Sequence, residues 1–147
     1  MSETVVWIHA DCLSPQHPSL LKHKDAPAVF VFDDVVLDGY GVTLKRLQFI
    51  YECLLELPVA IRRGDVAAEV AAFAAESGAT AVSTSSTPAP RFHAIVSDLR
   101  QCLTLELLHE PPFVPLPDDI DLKRFSRYWR RAERHAFEDA GQLRIVP

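Results

Sequence analysis

Short uncharged runs alternate with helical patterns through the first three-quarters of this chain, and that alternation limits the fold more than any other feature. "TVVWI" opens the series and "AVFVF" follows, neither with a charged residue to mark a solvent side. A strand without a polar face is buried on both faces, as in the middle of a parallel sheet covered by helices.

The pattern predicts strands at 4–9, 28–33, 58–62, 79–85 and 102–109. Between them, 42–57 carries Leu44, Leu47, Ile50, Leu54 and Leu57 at helical spacing. A second helix is expected over the alanine-rich 65–77, started by Asp65 after Gly64 and stopped by Gly78. A third runs over 90–101, after the proline-bearing "STPAP". The link 13–26 reads as loop with one helical turn at "PSLLKH". Strands separated by helices need crossover connections, so the sheet is expected to be parallel with helices on both faces.

"PPFVPLPDD", from Pro111 to Asp119, is a proline-rich connector. Beyond it Leu122, Phe125, Trp129, Ala132 and Ala136 fall at spacings of 3, 4, 3 and 4, one apolar stripe. Lys123, Arg124, Arg127, Arg130, Arg131 and Arg134 surround the stripe, and Asp118, Asp119 or Asp121 is the expected N-cap. The chain thus divides into an α/β domain at 1–110, a connector at 111–120, and an amphipathic basic helix with its tail at 121–147.

Composition excludes several classes of function. With 147 residues, 48% of them hydrophobic, the chain suits one domain with a substantial core. No run approaches the roughly 20 apolar residues of a membrane span, and the start lacks a signal-peptide pattern. Three cysteines without CxxC spacing read as reduced thiols, so the expectation is a cytoplasmic protein with no membrane partner. Cys53 and Cys102 fall in apolar surroundings, whereas Cys12, in the loop after the first strand, is the better candidate for reactivity. Residues 121–147 carry seven Lys/Arg against four Asp/Glu, a local +3, so a net charge of −5 leaves −8 for residues 1–120. So acidic a body argues against direct nucleic-acid binding.

Several segments resemble one known family. "VVWIHADCLSPQHPSL", with Trp7, Asp11, Pro18 and Leu20, is similar to the opening strand and loop of the DNA photolyase/cryptochrome N-terminal α/β domain. "VFVFDD" resembles its second strand, and "RLQFIYECLLEL", with Arg46 and Phe49, its following helix. "IRRGDVAAEVAAFAAESGATAV" resembles its strand–helix–strand passage, and "KRFSRYWRRAE" the segment leading to its helical domain. The resemblance implies a five-stranded Rossmann-like sheet of order 3-2-1-4-5. It also implies that the flavin-binding catalytic domain is missing, so the chain would not be catalytic by itself. It would act as an accessory or partner-binding module beside a separate flavin-binding catalytic protein or a homodimer mate, in a light- or DNA-repair-related setting. Two alternatives stand beside this: a small-ligand binding protein holding an antenna chromophore (deazaflavin, flavin or folate) or a nucleotide, and a fragment of a deoxyribodipyrimidine photolyase.

In open parallel sheets ligands gather beyond the C-terminal strand ends, where the chain reverses direction. The implied order places that crevice between the first and fourth strands. Candidate ligand-binding residues there are His9, Asp11, Ser85, Ser86 and Thr87. No cofactor is firmly expected: GxGxxG and GxxxxGK[ST] loops are absent, and His9 and Ala10 stand where the family has basic residues. His9, Asp11 and Cys12 do not form a nucleophile–base–orienter set, because neighbours on a strand face opposite ways. The histidines lack metal-ligand spacing on any one element. The second candidate surface is the terminal helix, where Phe125 and Trp129 with Arg127, Arg130 and Arg131 are expected to bind a partner.

Overall fold

The computed structural model describes residues 3–110, 112, 114–116 and 123–138. Its elements run β1 (Thr4–Ile8), α1 (Pro18–Lys22), β2 (Ala28–Asp33), α2 (Asp34–Gly39), α3 (Leu44–Leu55), β3 (Val59–Gly64), α4 (Val66–Glu76), β4 (Ala81–Ser85), α5 (Pro90–Leu99), β5 (Thr104–Leu108) and α6 (Phe125–Glu138). The five strands form one sheet in the order β3-β2-β1-β4-β5, every pair parallel. This is the α/β architecture and strand order expected above.

β1 shows why its sequence is unbroken. Val5 and Trp7 enter the apolar cluster built with α4 and α5, while Val6 and Ile8 enter the opposite cluster with α3. All four are 2% exposed or less. β2 divides its side chains the same way, Val29 and Val31 against Ala28 and Phe30.

Local chemistry sets the helix ends. Asp65 accepts from the Ala68 N–H at 2.9 Å and caps α4. Gly64 and Gly78, flanking that helix, take φ of +149° and +68°, where a side chain would be strained. Arg62 and Arg63, late in β3, are both ion-paired. Arg62 pairs with Glu69 and Glu76 and lies over the Phe73 ring, and Arg63 binds Asp34 at 2.6 Å.

Two short helices flank β2. α1 is the single turn expected at "PSLLKH". α2 follows β2 directly because Asp33 ends the strand and accepts from the Val35 N–H at 3.0 Å.

The chain forms two compact units, Met1–Glu110 and Pro111–Pro147. The second contains α6, on which Ala132 is buried. Most of the proline-rich connector lies outside the described residues, as do Leu122 and the capping candidates Asp118, Asp119 and Asp121. Among the described residues, no helix is long and apolar enough to cross a membrane.

Candidate functional site

The C-terminal strand ends carry two adjoining cavities, both lined by residues of the first unit. The smaller, about 290 Å³, lies beyond β1 and β4 and is polar, lined by His9, Asp11, Ser86, Thr87, His109 and Glu110 among others. β1 ends at Ile8, and a turn closed by the Cys12 N–H on the His9 carbonyl (3.1 Å) brings Asp11 over the strand ends.

The predicted site residues meet here, largely satisfying one another. His9 Nε2 lies 2.8 Å from the Ser85 carbonyl oxygen. A carbonyl only accepts, so Nε2 carries the proton and Nδ1 is left as an acceptor, buried and without a partner among the described residues. Burial outweighs the Ser85 carbonyl and Asp11 and lowers the His9 pKa. The ring stands edge-on to Trp7 and Phe92. Thr87 Oγ1 donates to Asp11 Oδ2 at 2.8 Å, and Ser86 Oγ pairs with His109 Nδ1 at 2.7 Å. Ser85 itself is buried, and it is the backbone oxygen that takes part.

Cys12 is not the reactive thiol its loop position suggested. It is 7% exposed, and burial, then the Glu110 carboxylate, push its pKa up to about 12, away from the thiolate. Cys102, expected to pack as a small hydrophobe, is exposed. Among the described residues no group of His, Cys, Asp and Glu is arranged to hold a metal ion.

The larger cavity, about 800 Å³, was not anticipated. It opens beyond β1 and β2, between α2, α3 and the start of α5. Its lining is mainly apolar, with Trp7, Phe30, Phe32, Leu37, Ile50 and Phe92 prominent. Trp7 and Phe92 stack at 5.4 Å between centroids, and Phe30 and Phe32 meet edge-on at 5.0 Å. These contacts fix the aromatic rings against one another.

Few charged groups line this chamber, and most are already paired. Arg91, from the first turn of α5, grips Asp33 with two bonds, Nε to Oδ2 at 2.8 Å and Nη2 to Oδ1 at 3.2 Å. Asp33 is thereby both the cap of α2 and the anchor of Arg91, and the charges cancel. Arg46, on the first turn of α3, also lines the cavity, and its guanidinium has no partner among the described residues. His9, Asp11 and Thr87 line both chambers, so the Asp11–Thr87 bond lies where they adjoin. The sequence signal that could have found the larger site is "VFVFDD": two phenylalanines two apart on a strand, then an acid pair at the strand's ligand-bearing end.

A separate network ties α1 to the far side of the sheet. Glu106 of β5 accepts from Lys22 at 2.5 Å, His23 at 2.7 Å and Ser83 at 2.8 Å. The Lys22 and His23 bonds hold its carboxyl down to about 2. His17 caps α1 by accepting from the Ser19 N–H on Nδ1, and burial lowers its pKa to about 4.

The other candidate residues lie on α6 in the second unit. Phe125 is 71% exposed and stacks on Trp129 at 5.8 Å, which packs edge-on against Phe137. Arg127, Arg130 and Arg131 are exposed. The aromatics and the arginines are thus on one helix.

No protein-family model matches the chain, and no curated protein matches it. Among solved structures, it is similar to one titled "Structure-based assignment of the biochemical function of hypothetical protein MJ0577: A test case of structural genomics". The match has 10% identity and a TM-score of 0.48, covering 76% of this chain and 99% of that one. No photolyase or cryptochrome model or curated member matches the chain, and the family resemblance and the accessory role built on it are corrected accordingly. The physical reason lies in the segments that carried the resemblance. "GDVAAEVAAFAAESGATAV" is a capped helix linking the edge strand β3 to the buried strand β4, with Gly64 and Asp65 before it and Gly78 after it. Many α/β sheets use those residue types at those places.

Proposed function

We propose that this protein is a small-ligand binding protein whose site is the apolar cavity beyond β1 and β2. One observation carries the reading: an opening of about 800 Å³ at the ligand-bearing edge of a parallel sheet, walled by fixed aromatic rings and a few polar groups. Ligand sites are of this size and character, apolar with a small number of polar groups that set orientation. The fold class supports the position, since open α/β sheets bind ligands outside the carboxyl ends of their strands. The polar crevice at His9, Asp11 and Thr87 extends the same site.

The test uses the neutral fluorophore N-phenyl-1-naphthylamine and the full chain carrying Trp129→Phe, which leaves Trp7 in the cavity wall as the only tryptophan. Energy transfer from Trp7 to the dye, saturating near one dye per chain, is expected. Val36→Trp, which places an indole in the space beside α2, is expected to weaken binding at least about tenfold, since the ring would occupy volume the dye needs. Absence of transfer, or transfer indifferent to Val36→Trp, would refute the assignment.

A further inference from the structure

We infer that the cavity is built for an amphiphile with an apolar body and a single anionic head, a carboxylate above all, held at the rim by Arg46. The inference rests on the cavity being a ligand site and adds the chemistry of what enters it. Among the described residues, two cationic side chains line the chamber, Arg46 and Arg91. Arg91 is spent, because Asp33 occupies its guanidinium with two bonds and cancels its charge. Arg46 remains, exposed and without a side-chain partner among the described residues, beside Leu47 and Ile50 of the apolar wall. A guanidinium is permanently charged and its parallel N–H groups match a carboxylate in a fork. An apolar chamber with one uncommitted cation at an exposed position favours a molecule that buries a hydrocarbon or aromatic body and leaves its charged end at the opening.

The same groups argue against a polyphosphate. Several phosphates need several cations or a cradle of backbone N–H groups. Here one arginine is unspent, the chain has five glycines in all, and Asp11 and Glu110 line the adjoining polar crevice. Their negative charge opposes any phosphate chain extending from the apolar chamber into that crevice.

The experiment compares two dyes with the same rings, 1-anilinonaphthalene-8-sulfonate, which has an anionic head, and the neutral N-phenyl-1-naphthylamine. Both are read by energy transfer from Trp7 in the Trp129→Phe background. The sulfonate is expected to bind more tightly than its neutral counterpart, and Arg46→Gln to weaken the sulfonate about fivefold while leaving the neutral dye unchanged. Dodecanoate is expected to displace both dyes from the parent chain, and ATP neither. If both dyes bind and Arg46→Gln moves neither, the anionic-head inference falls and the cavity assignment stands. If neither dye receives energy from Trp7, the cavity assignment falls and takes the inference with it. Displacement by ATP at lower concentration than dodecanoate would overturn the ligand class in favour of a nucleotide. A circular-dichroism melt of Arg46→Gln coinciding with the parent confirms that an exposed, unbonded side chain was changed without loss of fold.

Discussion

Asp33 performs two tasks at one position, and substitutions can separate them. Its carboxylate caps α2 through the Val35 N–H and grips Arg91 across the mouth of the cavity, at only 10% side-chain exposure. Asp33→Ala removes both and leaves the Arg91 guanidinium partly buried beside an apolar wall. A loss of about 2–3 kcal/mol in urea unfolding is expected. Asp33→Asn keeps an oxygen for the cap and loses the ion pair, so a smaller loss of about 1 kcal/mol is expected from the same measurement. Equal losses would show that one task alone matters. His9 makes a related point about polar residues at strand ends. The sequence marks it as a ligand group, yet its Nε2 proton is committed to the Ser85 carbonyl and burial lowers the ring's pKa. Sequence shows which residues reach the edge of the sheet, but not which of them are already bonded to one another.

At the scale of elements, α1 is too short to hold itself in place and depends on side-chain bonds to its surroundings. Lys22 and His23 reach Glu106 on β5, and His17 caps the helix start from a fully buried position. Acid should undo this attachment in two stages. His17 is neutral when folded, with a pKa near 4 against 6.5 in the unfolded chain. The unfolded state therefore binds the extra proton, and stability falls as pH drops from 6.5 towards 4. Glu106, depressed to about 2 from 4.5, contributes stability that is present above 4.5 and lost as pH falls through 2. Glu106→Gln is accordingly expected to flatten the fall in urea midpoint between pH 4.5 and 2 and to leave the fall above pH 4.5 in place. A parallel slope in both proteins below pH 4.5 would refute the role of Glu106. α2 shows why one element escaped the sequence. "DVVLDG" is six residues, under two turns, with a Val-Val pair that suits strand as well as helix. Only the Asp33 cap distinguishes the two, and without α2 the larger cavity has no outer wall to be inferred.

At the scale of the molecule, all five strands and both apolar clusters lie within Met1–Glu110. A chain ending at Glu110 is therefore expected to unfold in one cooperative urea transition and to keep Trp7 energy transfer to N-phenyl-1-naphthylamine. A broad, low-amplitude transition would show that the first unit does not suffice. The sheet order and parallel direction were legible because alternation of buried runs with helices leaves few ways to connect them. The cavity was not legible, because its volume depends on how far α2 and α3 stand from β1 and β2, a spacing no residue encodes alone. The same limit explains the mistaken family resemblance. Caps, glycine stops and buried strands recur wherever this architecture recurs, so their order reports the architecture rather than ancestry.

The hydroxyl of Thr87 rests on Asp11 where a dry room adjoins a wet one. Both side chains reach solvent, and a neutral–anionic bond of this kind exchanges readily with water. A ligand long enough to span both spaces would have to part this one exposed bond, with no change in the spacing of the strands.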